Sequence, residues 1–558
     1  MRRDPNLVGL DSGCGRPRRS APRITAVVSS LSLVALGLGL SVLASATAAA
    51  QSAPRQSSPA GRYVPITPFR VLDTRSNLGG SRFGPDSTES VTVAGAGNGS
   101  IPATGVVGVV ANMTVTQATS SGYLSVFPAG SGLPVVSSLN FTSRVTIANL
   151  VTVPVPAGGA VQVRDYLYDQ AASQSAQVVM DIQGYYTTTR SGAAGLYNPI
   201  TPVRIADTRP GSGQPDAGSP LGANGSALLT VVSGADGVPA TATSVVLNVA
   251  AVAPSSDGYL TVSPAGAPRP IVSNVNFRAG ATVANRVLAQ IGANGQVAFY
   301  NAAGSTNIVV DVDGWYAGSS TVDPQGGAYL SVTPTRIVDT RSGSGGTTVA
   351  AAGSETFAVA GHGGIPATGA LAAAMNVTVV NTQASGYLTI YPQGAARPTA
   401  SDINWTGARQ DVPNMTEEGL GSSGSLTIYN GSSGSSGVLI DVFGYFMVPV
   451  VAGVSLSANP TALPTNSKNS NISAAHESRL SATVTLAGAL PAGESVRFTE
   501  SGVACNGFVV KGAVATTALD SAAPFTATYL SGIKSGACVI TATESTHHLH
   551  GQVTVTQS

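Results

Sequence analysis

Apolar and polar residues alternate over short stretches that recur along the chain. Asn112-Met-Thr-Val-Thr116 alternates, as does Asn376-Val-Thr-Val-Val380, and Asn248-Val-Ala-Ala-Val252 does so less strictly, which predicts strands with one buried face. Tyr123-Leu-Ser-Val-Phe127, Tyr259-Leu-Thr-Val-Ser263 and Tyr387-Leu-Thr-Ile-Tyr391 follow the same rule. In these, Leu with Val or Ile takes one face, and Tyr with Ser or Thr takes the other. A short Ser/Gly-bearing turn joins the two strands of each set, and the spacing predicts a β-hairpin. Residues 178–182, 308–312 and 438–442 are nearly continuous apolar runs interrupted by one Asp, and these predict central strands. With no amphipathic helix pattern after the first 50 residues, the prediction is an all-β chain of sandwiches with about seven to nine strands each.

The same elements return three times. Tyr63 through Arg70, Asp73 and Arg75 recurs as Tyr197 through Arg204, Asp207 and Arg209, then as Tyr329 through Arg336, Asp339 and Arg341. Each copy continues through Pro-Ala-Thr, Gly-Tyr-Leu and Asn-aromatic elements and closes on Asp-x-x-Gly-aromatic, at Asp181, Asp311 and Asp441. A period of about 130 residues is far longer than a solenoid repeat, so each copy is long enough to bury its own core. The expected domains are 63–186, 197–316 and 329–446, preceded by a linker at 51–62 and joined by Gly/Ser/Thr-rich linkers of the flexible kind. Residues 454–558 form a different domain, which holds all three lysines of the chain.

Composition narrows the chemistry. Of 558 residues only 10% are charged, and the net charge is +1, which leaves no basic footprint for nucleic acid. The uncharged run from Ile24 to Ala50 follows Arg16, Arg18, Arg19 and Arg23 and ends in three alanines, the pattern of a secretory signal over 1–50. The run is also long enough to serve as an uncleaved membrane anchor. Export agrees with the cysteines: once Cys14 is discarded, Cys505 and Cys538 remain as a candidate disulfide. The expected location is therefore extracellular, secreted or on the cell surface.

Because charge is scarce, its placement is informative. Arg70, Asp73, Arg75 and Asp181, with their counterparts Arg204, Asp207, Arg209, Asp311, Arg336, Asp339, Arg341 and Asp441, are twelve of the 55 formal charges. The structural reading is an Arg–carboxylate network tying the first strand of each copy to its last. The alternative is an anion site at Arg70, Arg204 and Arg336. On a regular strand Asp73 and Arg75 share a face and Arg70 takes the other. If the hairpin forms, Tyr123, Tyr259 and Tyr387 share a surface with Asn112, Asn248 and Asn376, and an aromatic plane beside amides and hydroxyls is sugar-binding chemistry. The alternative is that another part of the domain covers this face. His362, His476 and the cluster His547, His548, His550 form no catalytic set, Glu417-Glu418 occurs in one copy, and the sequence implies no enzyme, cofactor or metal.

Residues 63–446 resemble the Asp-Thr-Arg-containing β-rich tandem repeats of secreted actinobacterial proteins, a resemblance that carries no biochemical activity with it. The third copy departs from the pattern at Asp411-Val-Pro-Asn414, where Pro413 is expected to interrupt a strand. The last segment is similar to bacterial immunoglobulin-like domains through Val454-Ser-Leu-Ser-Ala-Asn-Pro and Gly536-Ala-Cys538-Val-Ile-Thr-Ala, which implies surface display. The expected function is multivalent, weak binding of cell-envelope or environmental polysaccharide by an exported modular protein. The alternative is a structural stalk or an adhesin that binds other surface proteins.

Overall fold

Each repeat converts its apolar runs into eight antiparallel strands. In lobe 1 these are β1 (Arg62–Asp73), β2 (Thr88–Thr92), β3 (Val106–Thr116), β4 (Gly122–Pro128), β5 (Leu139–Phe141), β6 (Ile147–Pro154), β7 (Ala160–Leu167) and β8 (Gln177–Thr187). Lobe 2 repeats them as β9 (Tyr197–Asp207), β10 (Ser226–Thr230), β11 (Ala242–Val252), β12 (Gly258–Pro264), β13 (Val275–Phe277), β14 (Thr282–Gln290), β15 (Gln296–Asn301) and β16 (Asn307–Ala317). Lobe 3 has β17 (Ala328–Asp339), β18 (Ser354–Ala358), β19 (Ala370–Val380), β20 (Gly386–Pro392), β21 (Ile403–Trp405), β22 (Val412–Gly419), β23 (Ser425–Asn430) and β24 (Gly437–Met447). The computed structural model describes residues 59–189, 194–318, 325–448 and, with interruptions, 451–557, so the export segment expected at 1–50 lies outside the described residues.

The two sheets of lobe 1 run β1-β8-β3-β6 and β2-β7-β4-β5, and lobes 2 and 3 keep the same orders. Two four-stranded antiparallel sheets in these orders, with the chain crossing between them at every connection but β4–β5, make a jelly roll. The Asp-bearing apolar runs are the central strands β8, β16 and β24, covered on both faces. The expected hairpin is corrected: β3 pairs with β6 and β8, whereas β4 pairs with β5 and β7. The turn between them carries the chain from one sheet to the other. Pro413 does not interrupt its strand either, because β22 is the sheet edge, where a missing donor is tolerated.

The three lobes close on one another. Beyond the core inside each sandwich, a further cluster gathers Tyr63, Tyr186, Tyr197, Tyr316, Tyr329 and Phe446 from all three. Their rings pair cyclically: Tyr63 with Tyr316 at 4.6 Å, Tyr197 with Phe446 at 4.6 Å, and Tyr329 with Tyr186 at 4.2 Å. Backbone bridges follow a cycle as well, Tyr63 to Gly195, Tyr197 to Gly327 and Gly61 to Tyr329. The ends of the segments read as flexible linkers are therefore pinned into the ring. Each interface is heterologous, and a three-step rotation closes it, the geometry of a cyclic trimer built within one chain.

The closing Asp-x-x-Gly motif now has a physical account. A Cβ on Gly184, Gly314 or Gly444 would fall 2.5, 2.5 or 2.2 Å from the ring of Tyr63, Tyr197 or Tyr329, so only Gly admits the axial tyrosine. Gly444→Ala is expected to cost about 1–3 kcal/mol, the range of overpacking in a tight core, by urea denaturation. Gly132→Ala, where a Cβ meets nothing within 4 Å, should leave the midpoint unchanged.

The C-terminal segment forms a second kind of sandwich, with two five-stranded sheets built between Val451–Asn459 and His550–Gln557. Cys505 and Cys538 are joined by a disulfide beside its core.

Candidate functional site

The Arg-x-x-Asp-Thr-Arg element fastens the first strand of each lobe to its last. Arg70 donates from Nε and Nη2 to both oxygens of Asp181, at 2.8 and 3.1 Å, and Arg204 and Arg336 hold Asp311 and Asp441 in the same bidentate way. Arg70 also reaches Asp73 at 2.9 Å, which corrects the expectation that they occupy opposite faces. A β-bulge between Arg70 and Leu72, repeated between Arg336 and Val338, resets the alternation and turns both side chains to one side. Hydrogen bonds from Arg75 draw Asp73 down to about 2, and those from Arg341 lower Asp339. At Asp207 burial works upward and is outweighed by Arg209. Burial pushes Asp181, Asp311 and Asp441 up, against the pull of their arginines.

Asn112, Asn248 and Asn376 do not face solvent. Each is buried and donates to a backbone carbonyl of the next lobe: Asn112 to Ser273, Asn248 to Ser401, and Asn376 to Ser137 at 2.6 Å. A second set covers the edges of β6, β14 and β22, whose free N–H groups would otherwise be buried without partners. Asn149 Oδ1 accepts from Met415 N, Asn285 from Leu150 N, and Asn414 from Arg286 N, at 2.9–3.1 Å. The asparagines read as ligand contacts therefore close the ring and cannot meet a glycan. Because β3 and β4 lie in different sheets, they do not share a surface with the tyrosines.

The tyrosines do reach solvent at the seams. Tyr259 and Tyr387 are 37% and 36% exposed, while Tyr123 is half-buried, stacked on Tyr166 at 5.3 Å. Tyr387 lies in a cleft of about 630 Å³ between lobes 2 and 3. Lobe 2 contributes Arg204 and Arg209 from its Arg-x-x-Asp-Thr-Arg element, and lobe 3 contributes Tyr387, Asn404 and Arg397. The guanidinium of Arg397 lies 3.8 Å from the centre of the Tyr429 ring, and Arg269 sits over Tyr300 at 3.6 Å in lobe 2. The sequence reading missed Arg397, although an Arg before a Pro at the same place in two copies, Arg269-Pro270 and Arg397-Pro398, was there to be aligned.

Near the axis the threefold repeat is broken by charge. Glu417 accepts from Tyr186 at 2.9 Å and Tyr316 at 2.6 Å, so one carboxylate of lobe 3 holds tyrosines of the other two lobes. Arg286 is fully buried and bonds Asp313, Asp402 and Thr416. Asp313, Asp402 and Glu418 offer oxygens within 4.8 Å of one another, and both Glu418 oxygens lack a hydrogen-bond partner. Burial pushes the carboxyls of Glu417, Glu418 and Asp313 up.

No family model matches the chain, and no curated protein does. A chain in the atomic structure of Sulfolobus turreted icosahedral virus is similar over 70% of this chain and 99% of its own, at 10% identity and a TM-score of 0.15. A chain from a triple jelly roll and turret assembly of an archaeal virus is similar over 70% and 98%, at 9% identity and the same TM-score. Likenesses this slight carry no argument about function, and the jelly-roll assignment of the lobes rests on their strand order.

Proposed function

We propose that the chain is an exported, non-enzymatic binding protein that holds cell-envelope or environmental polysaccharide weakly at the seams of its three-lobed ring. The observation that carries the reading is the exposure of Tyr259 and Tyr387, with Tyr387 in a cleft wide enough for a sugar unit and bordered by hydroxyl and amide groups. A tyrosine ring stacks on the C–H face of a sugar and loses little entropy on ordering. Three seams on one body multiply a weak contact through effective concentration, and fixing their spacing removes the ordering cost that flexible linkers would impose. A stalk that gains reach by stringing copies out finds less support, because the copies fold back on one another. The C-terminal sandwich serves in this reading as a module for surface display.

The test is a pull-down of the form beginning at Gln51 on peptidoglycan and insoluble polysaccharides, beside a variant carrying Tyr123→Ala, Tyr259→Ala and Tyr387→Ala. Retention of the parent and loss in the still-folded variant is the expected result. Equal retention would remove the tyrosines from the site, and no retention of either protein on any matrix would end the glycan reading.

A further inference from the structure

Three arginines line the cleft between lobes 2 and 3, and no carboxylate does. Asp311 and Asp207 balance Arg204 and Arg209, so the cleft carries an excess of one cation, Arg397, which a neutral sugar would not require. The three differ in what they have left to offer. Arg204 is committed to Asp311 and Asp207. Arg209 gives Nε and Nη2 to Asp207, at 2.8 and 2.5 Å, and keeps Nη1 for another acceptor. Arg397 is exposed and makes no ion pair among the described residues; its guanidinium carbon lies over the Tyr429 ring, 3.8 Å from its centre. A guanidinium stacked on an aromatic plane keeps its in-plane donors pointing outward, and that edge matches a carboxylate through two parallel bonds. Tyr387 supplies the surface on which the sugar ring bearing such a group would rest.

We infer that the cleft between lobes 2 and 3 takes an anionic saccharide, its acidic group on Arg397 and Arg209 and its ring on Tyr387. The inference rests on the glycan reading above and adds the charge of the ligand. The seam between lobes 3 and 1 is built differently: lobe 1 has Leu133 before Pro134 where lobe 3 has Arg397 before Pro398, and both Asp411 and Arg341 lie close enough to act electrostatically on Tyr168, so a carboxylate stands there beside the cation. The acidic preference is therefore not shared by the seam between lobes 3 and 1, whereas Arg269 over Tyr300 gives lobe 2 the same stacked cation, so Arg397→Gln is made in an Arg269→Gln background.

Calorimetric titration of the form beginning at Gln51 with polygalacturonate and with its methyl-esterified counterpart tests this, since the two share a backbone and differ in charge. Poly(glycerol phosphate) separates carboxylate from phosphate as the source of the anion. Binding of polygalacturonate, about tenfold or more weaker for the ester and for Arg397→Gln, and weakening as salt rises, is expected. Arg209→Gln should weaken it by a smaller factor. If poly(glycerol phosphate) alone binds and responds to Arg397→Gln, the anionic cleft stands with phosphate as its group. Equal binding of acid and ester, with no response to either Arg variant, overturns the inference and leaves the glycan reading intact. Failure of every polymer here together with failure of the pull-down overturns both. Arg397 and Arg209 are exposed, and matching thermal transitions of variant and parent confirm an intact fold.

Discussion

Arg286→Leu should destabilise the three-lobed body by about 3–5 kcal/mol, the cost of removing one partner from a buried charge cluster. Arg286 is fully buried and spans the seam, from Asp313 of its own lobe to Asp402 and Thr416 of lobe 3. Without it the carboxyls of Asp313, Asp402 and Glu418 face one another with no cation among them. The chain carries its own controls, because the equivalent positions in other lobes are apolar or neutral: Leu150 and Met415 for Arg286, Gln183 for Asp313, Asn274 for Asp402, and Val153 for Glu418. Asn274 accepts from Val262 N as Asp402 does from Ile390 N, both at 2.7 Å, so an amide there preserves a buried backbone bond. Combining Arg286→Leu with Asp313→Gln, Asp402→Asn and Glu418→Val should restore or exceed parental stability, as replacement of buried ionic clusters by packed neutral groups commonly does. Denaturant midpoints for the single and the quadruple variant decide it. A harmless Arg286→Leu would mean that water reaches the cluster and that its charges are screened.

The pairing of lobes was not legible in the alternation, and the reason is physical. Period-two patterning reports which face of a strand is buried, not what buries it. Val109 and Val110 are both fully buried, one in the sandwich of lobe 1 and the other at the shared axis. A strand buried on both faces reads the same whether its second cover is a sheet of its own domain or a neighbouring lobe. Repetition did locate Arg70, Asp73, Asp181 and Gly184 and their counterparts, because each lobe must solve the same local problem. It also singled out Asn112, Asn248 and Asn376, but repetition alone cannot separate a residue kept for a ligand from one kept for a lobe contact. The opposite signal, a break in the repeat, was the better guide at the axis: Arg286, Glu417 and Glu418 stand where the other copies have mainly apolar residues, and all three lie in the interlobe hub. The bulge that brings Arg70 to Asp73 has no signature in the alternation.

The ring should also lose stability as pH rises from about 5, and Glu418→Gln should remove part of that loss. Burial raises the carboxyl of Glu418, and the nearby Asp313 raises it further, while in the unfolded chain a Glu titrates near 4.3. Between those two values the native state holds a proton that the unfolded chain has released, so raising pH favours unfolding. The slope reaches about 1.4 kcal/mol per pH unit for each such proton and ends once pH passes the raised native value. Asp73 works in the other direction: lowered to about 2 by Arg75, its contribution is present above the unfolded value near 3.9 and disappears as pH falls toward 2. The Asp73 window lies below that of Glu418, but Asp181, Asp311 and Asp441, also raised by burial, and Asp165, raised to about 6, lose protons on the same side as Glu418. The difference between parent and Glu418→Gln at pH 5, 6.5 and 8, not the parental profile alone, therefore reads Glu418. The amide introduced by Glu418→Gln carries no proton to lose and can donate toward Asp313 or Asp402, satisfying oxygens that now oppose one another. Its advantage over the parent should therefore be small at pH 5 and grow through pH 6.5. Parallel profiles for parent and variant would show that Glu418 is not the group whose proton the ring retains, and would move the assignment to Asp313.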